Sequence, residues 1–256
     1  SILQPVVKVE NLTKIFSRGE QEDFTAVNHI SFELIRGECL GIIGESGSGK
    51  TTAVNMITRL LHPSEGHIFL DGEEITSQKG KELRKIYQKM QMVFQTPADS
   101  FDPRRTLGDG IGESLRNRGM SRRGARAEVE KYLKQCGLSA EFADRYPHQV
   151  SGGQCQRAAI ARALVIQPKL LICDEATSAL DVTVQKEILH LLNELRRQQG
   201  DHLSILFICH DISLVQQFCD RVLVMYHGDI VESGTPDEVI QNPQNAYTRR
   251  LIDSIL

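Results

Sequence analysis

A run of apolar residues, Cys39-Leu40-Gly41-Ile42-Ile43, leads into Gly44-Glu45-Ser46-Gly47-Ser48-Gly49-Lys50-Thr51, and a stretch of helical character, Thr52 to Leu61, follows. This strand, loop and helix match the pattern G-x-x-x-x-G-K-[ST] at every specified position. The glycines let the backbone wrap closely round a phosphate, so that its N–H groups and the helix N-terminus point at the negative charge. Lys50 is the residue to neutralise β and γ phosphates. Thr51 offers a hydroxyl to Mg2+, which prefers oxygen ligands and shares its shell with phosphate oxygens. The expected ligand-binding residues here are Gly44, Ser46, Gly47, Ser48, Gly49, Lys50, Thr51 and Thr52.

Two more short, continuous apolar runs, Leu170 to Cys173 and Ile205 to Cys209, suit parallel strands buried on both faces, as Cys39 to Ile43 does. Other segments alternate apolar and polar residues: Val6 to Leu34, His67 to Asp71, and the pair Val222 to Met225 and Ile230 to Glu232, joined through His227 and Gly228. Alternation is the pattern of half-buried antiparallel strands. Thr183 to Gln199 reads as a helix with Val184, Ile188, Leu191, Leu192 and Leu195 on one face and Gly200 as its stop. Between Gln95 and Ser151 the strand signals vanish, and Arg126 to Cys136 carries Val129, Tyr132, Leu133 and Cys136 at helical spacing. The expectation is a single α/β domain over 1–256: a core from 1–95 and 155–256 that includes an antiparallel β subdomain, and an inserted helical subdomain over 96–154. No internal repeat suggests a solenoid.

A chain of 256 residues, 40% hydrophobic and 25% charged, is ample for a buried core. Its net charge of -3 gives no global basic field for nucleic acid, and no nucleic-acid partner is expected. No apolar run reaches the roughly 18 residues that cross a bilayer, and the first residues lack a signal-peptide layout, so a cytoplasmic location is expected. The six cysteines contain no C-x-x-C pair and are expected to be reduced and structural.

Leu170-Leu171-Ile172-Cys173-Asp174-Glu175 delivers two carboxylates to the end of a buried strand, where ligands bind in parallel sheets. Asp174 suits holding Mg2+ through water, and Glu175 suits polarising a water that attacks the γ-phosphate. The pair could also merely cap the next helix. Ser151-Gly152-Gly153-Gln154 opens another helical stretch, Cys155 to Val165, and forms a second potential anion-binding terminus. Taken alone, it is equally an ordinary helix cap.

Together these motifs resemble the nucleotide-binding subunits of ABC transporters, across essentially the whole chain. Ser151 to Gln154 matches that family's S-G-G-Q signature, which stands just ahead of the Asp174-Glu175 strand. The resemblance implies ATP sandwiched between two such chains, identical or homologous, with the signature of one reaching the γ-phosphate held by the other. It implies that Gln95, in Met92-Val93-Phe94-Gln95, touches Mg2+ and the attacking water; that Ser178-Ala179-Leu180-Asp181 is the D-loop, with Asp181 at the nucleotide; and that His210, in Cys209-His210-Asp211, contacts the γ-phosphate. Glu175, His210 and Gln95 are then the expected catalytic residues, and Thr51, Gln95 and Asp174 the expected surroundings of Mg2+. Phe16 falls where the family places an aromatic on adenine; a core position is open to it as well.

Asp99-Ser100-Phe101-Asp102-Pro103-Arg104, Tyr146-Pro147-His148 and Asn245-Ala246-Tyr247-Thr248 look like the branch that serves importers of peptides, dipeptides and nickel. That branch usually has S-L-N-P-R and H-P-Y-T where Phe101-Asp102 and Asn245-Ala246 depart, and a leucine where Val150 stands. Some of its members carry clustered cysteines beyond this point, and the shorter form is similar to the second ATPase of heterodimeric importers. The implied partners are a second ATPase subunit, transmembrane permease subunits and an extracytoplasmic solute-binding protein, with the chain at the cytoplasmic face of the membrane. The alternative is an ABC-type ATPase of a soluble enzyme complex, of the phosphonate-degrading kind, without transport.

Overall fold

The computed structural model describes residues 4–93, 101–174 and 182–254. Gln95, Glu175 and the Ser178 to Asp181 segment lie outside the described residues. Two sheets organise the rest. Strands β1 (Val7–Arg18), β2 (Gln21–Leu34), β4 (Glu65–Leu70) and β5 (Glu73–Glu74) form an antiparallel sheet in the order β2-β1-β4-β5. Strands β3 (Cys39–Ile43), β6 (Met90–Val93), β7 (Leu170–Asp174), β8 (Ser204–Cys209), β9 (Arg221–Tyr226) and β10 (Asp229–Gly234) form the second, ordered β10-β9-β3-β8-β7-β6. All neighbours there run parallel except β10, which turns back against β9.

The alternating strands and the continuous ones separate as their burial requires. All five residues of β3 and all six of β8 are buried, because both faces of the parallel sheet are covered. One face packs on the antiparallel sheet and helix α1 (Lys50–Ile57), with Leu40, Ile42, Ile172 and Ile208 meeting Leu12, Leu34 and Met56. The other packs, through Ile43, Leu171, Ile205 and Phe207, on the remaining helices except Lys81–Lys89, whose Ile86 lies in the first core. Two expectations need amending. Val222 to Met225 belongs to the parallel sheet, fully buried beside β3, and only Ile230 to Glu232 turns back antiparallel to it. The helix after the loop ends at Ile57, four residues early, because Arg59 takes a left-handed φ of 63° and the Leu60 and Leu61 amides both return to the Asn55 carbonyl.

Helix α2 (Lys81–Lys89) leads into β6. Residues 101–151 hold helices α3 (Leu107–Asn117) and α4 (Arg122–Gln135) and short 3-10 turns, with no strand among the described residues. Thr106 and Ser121 cap α3 and α4 by accepting from the Asp109 and Gly124 amides. Helix α5 (Gly152–Leu164) packs against α3 and α4 and also against β6, running without a break across residue 154. Helix α6 (Val182–Gln199) buries Ile188, Leu192 and Leu195 as the periodicity predicts. Helices α7 (Ile212–Phe218), α8 (Pro236–Gln241) and α9 (Ala246–Asp253) follow.

Below the sheets, Asp71 at the end of β4 pairs with Arg36, with Lys169 at 2.8 Å and with Lys89 at 3.7 Å. These contacts join the antiparallel sheet to the starts of β6 and β7. All six cysteines are free and buried, Cys39 Sγ and Cys219 Sγ lying 3.5 Å apart.

Candidate functional site

Because β3, β8 and β7 are parallel neighbours, their C-terminal ends meet at one edge of the sheet. That edge receives the Gly44–Gly49 loop from β3, Asp174 from β7 and His210 from β8. It is where an open α/β sheet offers its ligand crevice. A cleft of about 590 Å³ opens there, lined by residues 45–52, His210, Phe24, Ala26, Leu251 and Ser254.

The loop is held by its glycines. Gly49 caps α1 at φ 103°, and a Cβ there would lie 2.6 Å from the Ala26 carbonyl of β2. A Cβ on Gly44 would lie 2.4 Å from the Met225 carbonyl of β9. The Gly228 amide donates to the Ser48 carbonyl at 2.9 Å, and the Asn28 amide donates to the Gly228 carbonyl at 2.8 Å. No acidic residue stands in the first turn of α1, so its positive end faces the cleft uncompensated by a carboxylate of its own turn.

Lys50, 5% exposed, donates from Nζ to the Gly44 carbonyl and, at 3.4 Å, to the Cys209 carbonyl. Its ammonium thus bridges the ends of β3 and β8, at the centre of the crevice. His210 is exposed and fixed by its neighbours: the Asp211 amide donates to Cys209 Sγ at 3.1 Å, and Asp211 Oδ1 accepts from the Ser213 amide at 2.9 Å to cap α7. Asp174 is half-buried and paired in register with Ile208. Thr51 and Asp174 are hard oxygen donors of the kind Mg2+ takes. Among the described residues, no cluster of three His, Cys, Asp or Glu side chains is arranged to hold a metal. Mg2+ ordinarily keeps waters and phosphate oxygens in its shell, so one or two such protein donors suit it.

Phe16 is 37% exposed on β1 and stands directly opposite Phe24 of β2. Phe24, 43% exposed, is the ring that lines the cleft, with the Arg18 guanidinium 4.4 Å from its centroid. Lys14 lies 5.3 Å from the Phe16 ring centroid. Sequence reasoning did not pick out Phe24, nor Leu251 of α9 and Ser254, which caps its C-terminus; a lone aromatic in a polar hairpin carries no signal until its strand partner is known.

Ser151 to Gln154 form the start of α5 and are absent from the cleft lining. Ser151 Oγ accepts from the Gln154 amide at 3.2 Å, and Gln154 Oε1 accepts from the Ser151 amide at 2.9 Å. This reciprocal box fixes the turn. The exposed Gly152 and half-buried Gly153 follow with no acidic residue in the first turn. One chain thus presents two helix termini suited to anions, in two separate places.

The family model described as ABC transporter matches residues 27–178. The chain is 46% identical over 232 residues to the oligopeptide transport ATP-binding protein OppF of Escherichia coli, covering 90% of this chain and 69% of that protein. Its structure is similar to cbiO1 from Clostridium perfringens, part of the ABC transporter complex cbiONQ, with a TM-score of 0.83 and 32% identity over 93% of this chain and 91% of that one. It is also similar to the ATP-binding cassette MJ0796 in a dimeric post-hydrolysis state bound to ADP and Pi, with a TM-score of 0.77 and 32% identity over 90% of this chain and 98% of the other.

Proposed function

Since the chain belongs to the ABC transporter family and is an ATPase of that family, we propose that it hydrolyses ATP to energise the import of peptides. The observation that carries this reading is the single edge at which β3, β8 and β7 end, with the phosphate loop, the buried Lys50 ammonium, His210 and Asp174 all converging there. The choice of peptide follows the relative from Escherichia coli, an oligopeptide transport protein at 46% identity.

Loop amides and the N-terminus of α1 receive the phosphates, and Lys50 moves from the Gly44 and Cys209 carbonyls onto β- and γ-phosphate oxygens. Thr51 and Asp174, with Gln95, would hold Mg2+, which would neutralise charge that develops on the phosphate oxygens. Glu175 polarises the attacking water and His210 donates to the γ-phosphate from the end of β8. Ser151 to Gln154 serve the nucleotide of a second ATPase subunit, and Asp181 is assigned a role in nucleotide binding. Two chains closing on two nucleotides drive permease subunits at the cytoplasmic face of the membrane, which receive the solute from an extracytoplasmic binding protein. No helix among the described residues is long and apolar enough to cross a membrane, in keeping with a peripheral subunit.

Glu175→Gln tests the chemistry. The variant is expected to bind MgATP as the parent does and to lose at least about a hundredfold in turnover, the usual share of a general base. Turnover like the parent's rejects the role of Glu175, and absence of MgATP binding in the parent rejects the nucleotide reading itself.

A further inference from the structure

Helix α9 is tied to the first residue after Gly44. The Tyr247 hydroxyl accepts a hydrogen bond from the Glu45 amide at 2.9 Å, across 202 residues of chain. Tyr247 is 4% exposed and stacks on Tyr226, the last residue of β9, with centroids 4.2 Å apart and planes 26° from parallel. The start of the helix is secured independently: Asn245 Oδ1 accepts from the Tyr247 amide at 2.8 Å, and the Gln244 and Asn245 amides donate to the Glu232 carboxylate of β10. One turn and two turns beyond Tyr247, Leu251 and Ser254 line the cleft itself.

We propose that α9 is a clasp on the nucleotide site: Tyr247 is a positioning residue that holds the phosphate loop in its receiving shape, and the Leu251–Ser254 end forms part of the wall over bound ATP. The proposal rests on the ATP-binding reading above. Its physical basis is the Glu45 amide. Apart from Tyr247, the loop's internal tie at that residue is the Ser48 amide donating to the Glu45 carbonyl at 3.1 Å. Without the phenol oxygen, a part-buried N–H is left unpaired and the loop exchanges its single shape for several. Ligand then binds only the competent fraction, and the apparent dissociation constant rises in proportion. Burial raises the phenol pKa, so the hydroxyl stays protonated and neutral beside the loop throughout the physiological range.

Tyr247→Phe separates this from simple packing, since phenylalanine keeps the ring stack and loses only the acceptor. In the full-length chain, at a temperature where both proteins are folded, the variant is expected to raise the MgATP dissociation constant about tenfold while turnover at saturating ATP changes less than about twofold, as a cost confined to loop ordering requires. Amide exchange at Glu45 should quicken. In the parent, MgATP should slow exchange along residues 246–253 as well as in the loop. Unchanged affinity in folded Tyr247→Phe overturns the proposal. So does the absence of slowing in α9, a measurement that decides the matter alone if the variant does not fold. Failure of the parent to take up MgATP instead strikes the nucleotide reading, with the clasp falling as its consequence.

Discussion

Replacing Gly49 by alanine should destabilise the chain before any nucleotide is added, and the structure fixes how much. Gly49 adopts a φ of +103°, where an L side chain is strained. That strain costs about 1–2 kcal/mol. The added Cβ also meets the Ala26 carbonyl at 2.6 Å, with the Gly228 Cα at 3.4 Å. Backbone cannot swing aside as a side-chain end would, so overpacking adds about 1–3 kcal/mol. The sum, about 2–5 kcal/mol, corresponds to a fall in melting temperature of roughly 5–15 °C for a chain of this size. Gly47 and Gly19 are the internal controls: both have positive φ, at +84° and +70°, and a methyl group added at either would have nothing within 4 Å. Alanine at either should lower the melting temperature by only about 2–6 °C, the conformational part alone. Thermal unfolding of the three variants without ligand makes the comparison. A Gly49→Ala protein that melts within about 2 °C of Gly19→Ala would refute the claim that the loop is wedged against β2.

Asp71→Asn tests the charge cluster below the sheets. Burial pushes the Asp71 carboxyl up, but hydrogen bonds from Lys169 and Arg36 outweigh it and hold it below its ordinary value of 3.8. A depressed pKa stabilises the fold above the unfolded value and ceases to do so as pH falls from 3.8 through the folded value. Denaturant titrations of parent and variant should therefore differ by about 2 kcal/mol between pH 8 and pH 5, and the gap should close only as pH falls below 3.8 and Asp71 takes up its proton; a gap unchanged at low pH contradicts the ion-pair account. The six cysteines give a chemical check: burial pushes Cys136 up to about 12 and raises Cys155 and Cys173, the hydrogen bond with Cys39 and burial raise Cys219, and all six are buried, so none should be alkylated rapidly in the native chain at pH 8, and all six should react in denaturant. Rapid native labelling of any one contradicts the packing around it.

The elements that reasoning from sequence recovered are those whose burial writes itself into consecutive residues. Leu170 to Cys173 and Ile205 to Cys209 are apolar throughout because the parallel sheet is covered on both faces, and the loop motif told which end of those strands carries the chemistry. Strand β6 went unread: Met90-Gln91-Met92-Val93 is short, broken by a glutamine, and lies at the sheet's edge, where half-buried positions tolerate one. Val222 to Met225 showed itself as a strand but not its direction, which depends on pairing with β3 across some 180 residues. Separation in sequence likewise hid the contact between Tyr247 and Glu45, and the local pattern did not say which of the paired Phe16 and Phe24 faces the cleft. Local periodicity reports burial, and a crevice assembled from remote segments is a matter of partners.

Gly228 sits at the tip of the β9–β10 hairpin, with its amide on the loop's Ser48 and its carbonyl on Asn28 of β2. That small turn rivets the antiparallel sheet to the phosphate loop, and Asn28 Nδ2 donating to Asp229 at 2.9 Å adds a second rivet beside it. The antiparallel sheet cannot peel away without loosening the loop, so the two should fray as one cooperative unit. By linkage, nucleotide uptake must then tighten the junction between the sheets by the same factor by which closing the junction favours uptake.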